Sequence, residues 1–346
     1  MPAMSIRWPV TIPGMKESDL LAWLYKSAWR SRTVPIPIGD DMAGVRLSDR
    51  TGGNRLVLLK IDQCLDRVHF DMRDHMPRQI GCKAVNRCLS DCAAMAAKPK
   101  AILLSVALPT QVSLTWAKTL FQGCRAAAQK AACPIVGGDT AVWNQRLAIT
   151  VAALGLPATD SVLRSGARPG DALCVSGRLG GSILGRHLTF RPRIRLAHRL
   201  VQLAPIHAMM DISDGLAIDL PRLLSMSRVG AQIDARQVPI HPDARRLSRR
   251  DGLTPLHHAL CDGEDYELLF TLPQSDADRL RAARFPITNI GQITRRRNEI
   301  VLLRNGQPQP WPVGGVEPRR KGFAVKAHFI RCCGGEGLNV CRIRRR

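Results

Sequence analysis

The chain alternates between two hydrophobic spacings. Short apolar runs at Leu56–Asp62, Ile102–Leu108, Leu147–Leu154, Ala172–Ser176, Ala231–Asp234, Tyr266–Leu272 and Ile287–Ile293 predict strands, and His207–Met210 reads as the end of a buried one. Helical spacing predicts a helix over 80–97, where Val85, Leu89, Cys92 and Ala96 share a face and Lys98-Pro99 is the stop. Further helices are expected over 114–131 (Leu114, Ala117, Phe121, Cys124, Ala128), over 196–203, and over 215–229 (Leu216, Leu220, Leu223, Leu224). Strands and helices mix in both halves without a strict βαβ rhythm, which points to α+β (mixed α/β) domains rather than a bundle or solenoid. Turn residues Gly155, Pro157 and Ala158 mark a boundary. The expected plan is an N-terminal helix with loose ends (1–35), a first domain (36–157), a second (158–330) and a disordered basic tail (331–346).

Composition narrows the picture. A chain of 346 residues with 45% hydrophobic content can bury two cores. Lys+Arg 51 against Asp+Glu 28 gives +23, so phosphate-bearing partners are plausible. The basic residues are scattered, aromatics are only 4%, and no base-stacking stripe is present, so nucleic acid is not the expected partner. Eleven cysteines without a C-x-x-C pair suggest reduced thiols in the cytoplasm. The longest apolar run, Ala101–Leu108, is too short to span a bilayer.

The candidate chemistry sits where apolar runs end. Asp40-Asp41 follow Ile38-Gly39, Asp62 ends a strand, and Asp91 lies on the first long helix. Asp139 stands in Gly137-Gly138-Asp139-Thr140, Asp211 and Asp214 flank Ser213 before a helix, and Glu264-Asp265 follow Gly263. Converging carboxylates repel each other, so a pocket of them implies a cation. Hard oxygen donors select Mg²⁺ or Ca²⁺ over zinc. Beside glycine loops, the set suggests Mg²⁺ bridging substrate phosphates, as phosphoryl transfer requires. Each residue also has a plainer reading: Asp214 as a helix N-cap, Asp91 as an ordinary helix position, His69 as a core histidine. Neither a Walker P-loop nor the protein-kinase motif set occurs.

The order of these motifs resembles the thiamine-phosphate kinases, of the aminoimidazole ribonucleotide synthetase superfamily. The matching stretches are Ile38-Gly39-Asp40-Asp41, Asp62 with His69-Phe70, Lys83–Met95 around Asp91, Gly137–Thr140, Arg164–Asp171, Asp211–Leu216 and Gly263–Leu269. The resemblance implies a two-domain fold, each domain a mixed sheet with helices, dimerising through the N-terminal strands. It implies ATP and Mg²⁺ in the cleft and in-line transfer to thiamine monophosphate with no phosphoenzyme. Asp41, Asp62, Asp91, Asp139, Asp211 and Asp214 match the metal-binding acids. Gly138, Asp139, Arg164 and Ser213 match the ATP contacts, and His69, Glu264 and Phe323 match the substrate contacts.

Three positions depart from that pattern. Lys60 and Ile61 replace a hydroxyl pair, Cys88 replaces an Asn three residues before Asp91, and Asp262 replaces the first Gly of Gly-Gly-Glu-Asp. On a strand, Lys60 shares a face with Asp62, so its ammonium either enters the acid pocket or runs out to solvent. With the acids kept, an active enzyme with altered metal coordination is expected. The other readings are a related ATP-using enzyme with another substrate, or a non-catalytic nucleotide- or nucleic-acid-binding protein that kept the fold.

Overall fold

A computed structural model describes residues 17–26, 28, 31–48, 54–158 and 161–312; Phe323 and the tail 331–346 lie outside them. The first half comprises α1 (Glu17–Lys26), β1 (Ala43–Ser48), β2 (Asn54–Leu65), α2 (Pro77–Ala94), β3 (Ala97–Pro109), α3 (Leu114–Lys130), β4 (Ile135–Trp143) and β5 (Ala148–Pro157). Its five strands form one sheet in the order β1-β2-β5-β3-β4, with only β3 and β4 parallel. Period-two alternation decides the faces. Leu58 and Cys64 of β2, Ile102, Leu104 and Val106 of β3, and Ile149, Val151 and Ala153 of β5 are buried. Helices α2 and α3 pack together, and their apolar sides share that core. On the opposite face Leu59, Ile61 and Leu103 are exposed and Val57 is buried, so among the described residues that face is largely uncovered.

The second half comprises β6 (Ala172–Val175), α4 (Arg186–Thr189), α5 (Ile194–Leu203), β7 (Ala208–Asp211), α6 (Leu216–Ser227), β8 (Gly230–Asp234), α7 (Pro242–Asp251), α8 (Pro255–Cys261), β9 (Leu268–Leu272), α9 (Gln274–Ala282), β10 (Thr288–Thr294), β11 (Ile300–Arg304) and β12 (Gln307–Gln309). Its seven strands run in the order β12-β11-β8-β10-β6-β9-β7. Strands β6 and β9 are buried on both faces. Leu173, Val175, Met210 and Leu269 join a core with Leu216, Leu220 and Leu223 of α6. Ala172, Cys174, Met209 and Phe270 join the other core, which also contains Ile194, Ala197 and Leu200 of α5 and the buried face of α2. The larger hydrophobic core therefore crosses between the two halves. Inside α6, Pro221 has no N–H for the Ala217 carbonyl, and the Trp311 indole supplies one at 3.1 Å.

The expected strands and helices form, with ends displaced by a few residues, and the fold is the expected α+β arrangement of two mixed sheets. Two differences have physical causes. Gly137–Thr140 lies within β4, paired with Leu103–Val106 of β3 just after a bulge at Val136. There Gly138 has φ +156°, and a Cβ would lie 1.7 Å from the Leu104 carbonyl oxygen, so glycine alone fits. Helix α7 carries no hydrophobic periodicity because Ala244 is its only buried residue.

Candidate active site

Three buried carboxylates meet where three elements end. The residues of β7 before Asp211 are buried, so the strand delivers its last side chain to the seam between the sheets. Asp91 projects from α2. Asp41 lies in the loop before β1, which is fastened to the end of α2 by the Met42 N–H donating to Met95 Sδ at 3.0 Å. One oxygen from each of Asp41, Asp91 and Asp211 lies within 4.8 Å of the others. Burial, then the Asp41 charge, pushes the Asp211 carboxyl up to about 6. Burial holds the Asp91 carboxyl well above its ordinary value, against the pull of Lys60. An all-oxygen set that repels itself fits a hard divalent cation.

Resident cations already reach most of these acids. The Lys60 ammonium sits 3.0 Å from Asp91 Oδ1, so it enters the pocket rather than running to solvent. Burial opposes its charge, but Asp91, Asp62 and Asp41 outweigh that and raise its pKa. Arg164 grips Asp41 with two nitrogens, at 3.1 and 2.5 Å, while its backbone N–H donates to Asp40 Oδ1 at 2.7 Å. Asp62 faces Arg87, whose Nε lies 3.4 Å from Oδ2. Arg87 Nε and Nη1 are buried without a hydrogen-bond partner. Among the described residues no cation pairs directly with Asp211; the Ser90 hydroxyl donates to its Oδ2 at 2.5 Å.

A second cluster adjoins the first. Lys83 is fully buried, donates to the His69 carbonyl at 2.6 Å and pairs with Glu264 Oε1 at 2.7 Å. The Tyr266 hydroxyl donates to Glu264 at 3.2 Å, and its ring stacks on Phe190, centroids 3.8 Å apart. The Glu264 loop lies against the Asp211–Asp214 turn: Glu264 N–H donates to Ser213 O at 2.7 Å, and Tyr266 N–H to Ile212 O at 2.8 Å. Gly263 permits this approach, since a Cβ there would meet Asp214 backbone at 2.9 Å, and its φ is +71°.

His69 Nδ1 accepts from the Leu65 N–H at 3.0 Å. Burial, helped by Arg87, lowers its pKa from 6.5 to about 4, so the ring is neutral at pH 7. A folded pKa below the unfolded one means that this stability is complete above pH 6.5 and is lost as pH falls through 4. His69→Gln should flatten the melting temperature across that window. A slope equal to that of the parent protein would contradict the assignment.

Asp214 stands apart from the three-acid centre. Its side chain is 46% exposed and pairs with Arg222. Nor does it cap α6: Asp219, buried, accepts from the N–H groups of Ser213, Asp214 and Gly215 at 2.9–3.1 Å. Asp219→Ala should therefore cost roughly 3 kcal/mol, from stranded donors, whereas the exposed Asp214→Ala should cost under about 1 kcal/mol. Denaturant titration of both variants checks the order.

Asp139 also lies elsewhere. It pairs with Ser105 on the exposed side of the first sheet, on the edge strand β4, with β5 and β3 between it and β2. Gly137–Thr140 line a cavity of about 850 Å³ with Leu104, Phe121 and Arg125. Asp41, Asp91, Arg164 and Ser213 are not among the residues that line it.

Sequence reasoning missed Ser90, Arg87, Asp219 and the pairing of Lys83 with Glu264. For Lys83, Arg87 and Ser90 the signal was a polar stripe with Asp91 on a largely buried helix, at spacings of three and four; Asp219 had none of that kind.

Comparison with known proteins agrees with the geometry. Residues 39–156 match the family described as AIR synthase related protein, N-terminal domain, and 160–304 match its C-terminal domain. A thiamine-monophosphate kinase of Rhodopirellula baltica is 38% identical over 285 residues, 81% of this chain and 90% of the relative. One from Haemophilus influenzae is 32% identical over 303 residues, covering 80% and 89%. A solved structure described as AaThiL complexed with AMPPCP and TMP superposes with a TM-score of 0.73 at 28% identity, covering 86% of this chain and 96% of the other.

Proposed function

This chain belongs to the thiamine-monophosphate kinases of the AIR synthase related family, and from that premise we propose how its own residues carry the reaction. ATP phosphorylates thiamine monophosphate, giving thiamine diphosphate and ADP. The observation that carries this reading is the buried three-carboxylate centre, built from both domains and bordered by the Lys83–Glu264 cluster.

Asp41, Asp91 and Asp211, with Asp62 beside them, would hold Mg²⁺. Bound there, a divalent cation neutralises charge on the phosphate oxygens. The chain's own residues do the rest. Arg164 orients Asp41, and Ser90 orients Asp211. Gly138, Asp139 and Ser213 contact ATP, and Asp214, on the exposed side of the turn, takes a peripheral metal. His69, neutral, and Glu264, held by Lys83, meet the thiamine phosphate; Phe323 closes over its rings. No nucleophilic side chain is needed, which fits direct in-line transfer.

The working unit is a homodimer formed through the uncovered sheet face. Leu47 on β1, Leu59 and Ile61 on β2, and Leu103 on β3 beyond β5 are exposed there, apolar side chains that a second copy would cover. Asp139 lies on the same face, so its place in the metal set depends on that second copy. The enzyme acts in the cytoplasm; among the described residues no helix is long and apolar enough to cross a membrane.

The decisive assay incubates the purified protein with ATP, Mg²⁺ and thiamine monophosphate and follows thiamine diphosphate by chromatography. EDTA should stop the reaction. Turnover with a different phosphate acceptor, and none with thiamine monophosphate, would overturn the substrate.

A further inference from the structure

We infer that Lys60 is a built-in cation occupying the place of one divalent ion, so that this chain works with one metal fewer than its carboxylates alone would take. The inference rests on the metal-dependent transfer proposed above. Lys60 leaves β2 on the buried face, two residues before Asp62. Long ammonium side chains usually snorkel to water, yet this one ends 3.0 Å from Asp91 Oδ1. Lys60 pairs with Ala153 of β5, and β1 pairs the strand up to Leu59, so the backbone fixes where the side chain starts.

Three of the four carboxylates around it already face a fixed cation. Asp41 holds Arg164, Asp62 faces Arg87 and Asp91 holds Lys60; Asp211 alone relies on a neutral hydroxyl, Ser90. Of the three cations, only Lys60 is a compact point charge, the form nearest to a bare ion. A divalent ion bridging Asp91 to Asp41 or Asp211 would have to share the ground beside the ammonium, and like charges repel there. The ammonium neutralises the same acids without the reluctant dehydration of Mg²⁺. It also brings no lone pair, so it removes a ligand as well as supplying a charge. Cys88, buried one turn before Asp91 on α2, likewise offers no oxygen. Beside Asp91, then, neither Lys60 nor Cys88 offers a metal an oxygen.

The test counts bound Mn²⁺ on the full chain by electron paramagnetic resonance, with a non-hydrolysable ATP analogue present. Lys60→Thr restores a hydroxyl, and it should bind one more Mn²⁺ per chain than the parent and show a steeper Mg²⁺ dependence of rate. Lys60→Arg keeps the cation and should keep the parent count. Lys60→Ser repeats the measurement should the Thr variant melt early. Equal counts in the hydroxyl variants and the parent would overturn the inference while leaving the kinase reading intact. An extra ion in a protein that fails to phosphorylate thiamine monophosphate would leave Lys60 as inferred and remove the substrate. Absence of Mn²⁺ from every variant would overturn both.

Discussion

Asp211→Asn should lower kcat by roughly a thousandfold while the protein remains folded. The substitution keeps size, and the amide oxygen still accepts the Ser90 hydroxyl that now donates to Asp211 at 2.5 Å. What disappears is the one charge in the centre with no fixed cation opposite it. Without metal, that buried charge is a burden on the fold, since an ionised group away from water is unfavourable unless paired. The variant should therefore melt higher than the parent in EDTA, and Mg²⁺ with nucleotide should stabilise it less. A variant with normal kcat and an unchanged melting temperature would show that Asp211 is neither a ligand nor an unpaired charge.

The second large effect concerns assembly. Ile61 is 67% and Leu103 49% exposed in the single chain, and both project from the uncovered sheet face. Ile61→Asp combined with Leu103→Asp would place two carboxylates per chain in the proposed interface, where a symmetric dimer doubles them. Like charges without partners should weaken association by about a thousandfold or more. Sedimentation equilibrium should then report a dimer for the parent and a monomer of unchanged secondary structure for the double variant. A parent that is monomeric at micromolar concentration, or a double variant that stays dimeric, would rule out this face.

The local patterns were legible because they depend on near neighbours. Strand β5 alternates strictly between buried and half-buried residues, and α3 repeats its apolar side chains at helical spacing, so each could be read without knowing what lies opposite. Helix α7 could not, because it stands on polar contacts with a single buried alanine. The acids were visible as a set, but their grouping was not. Asp41, Asp91 and Asp211 converge while Asp139 and Asp214 stand apart, and that division follows from sheet order and from which face of each strand is covered. Spacing in the chain carries neither fact. Lys60 was the intermediate case: period two placed it on the face of Asp62, but only the packed structure decides between the pocket and water. At the Asp211–Asp214 turn the nearest carboxylate looked like the cap, and Asp219, one turn into α6, does the work instead.

The hydrophobic core that crosses between the halves also governs how the chain can be made. The strands and helices of residues 43–157 leave the ribosome first, yet the wall of α2 packed by Ile194, Ala197 and Leu200 stays wet until α5 has been synthesised. At the start of that interval, until residue 164 has emerged, Asp41 also lacks its ion-pair partner Arg164. The nascent first half is thus an intermediate with an apolar flank and unmatched charge, the kind of species on which holding chaperones act. Ordered translation, rather than two independently folding pieces, is what this architecture requires, and a gene split near residue 157 would yield two fragments each missing one wall of a shared interior.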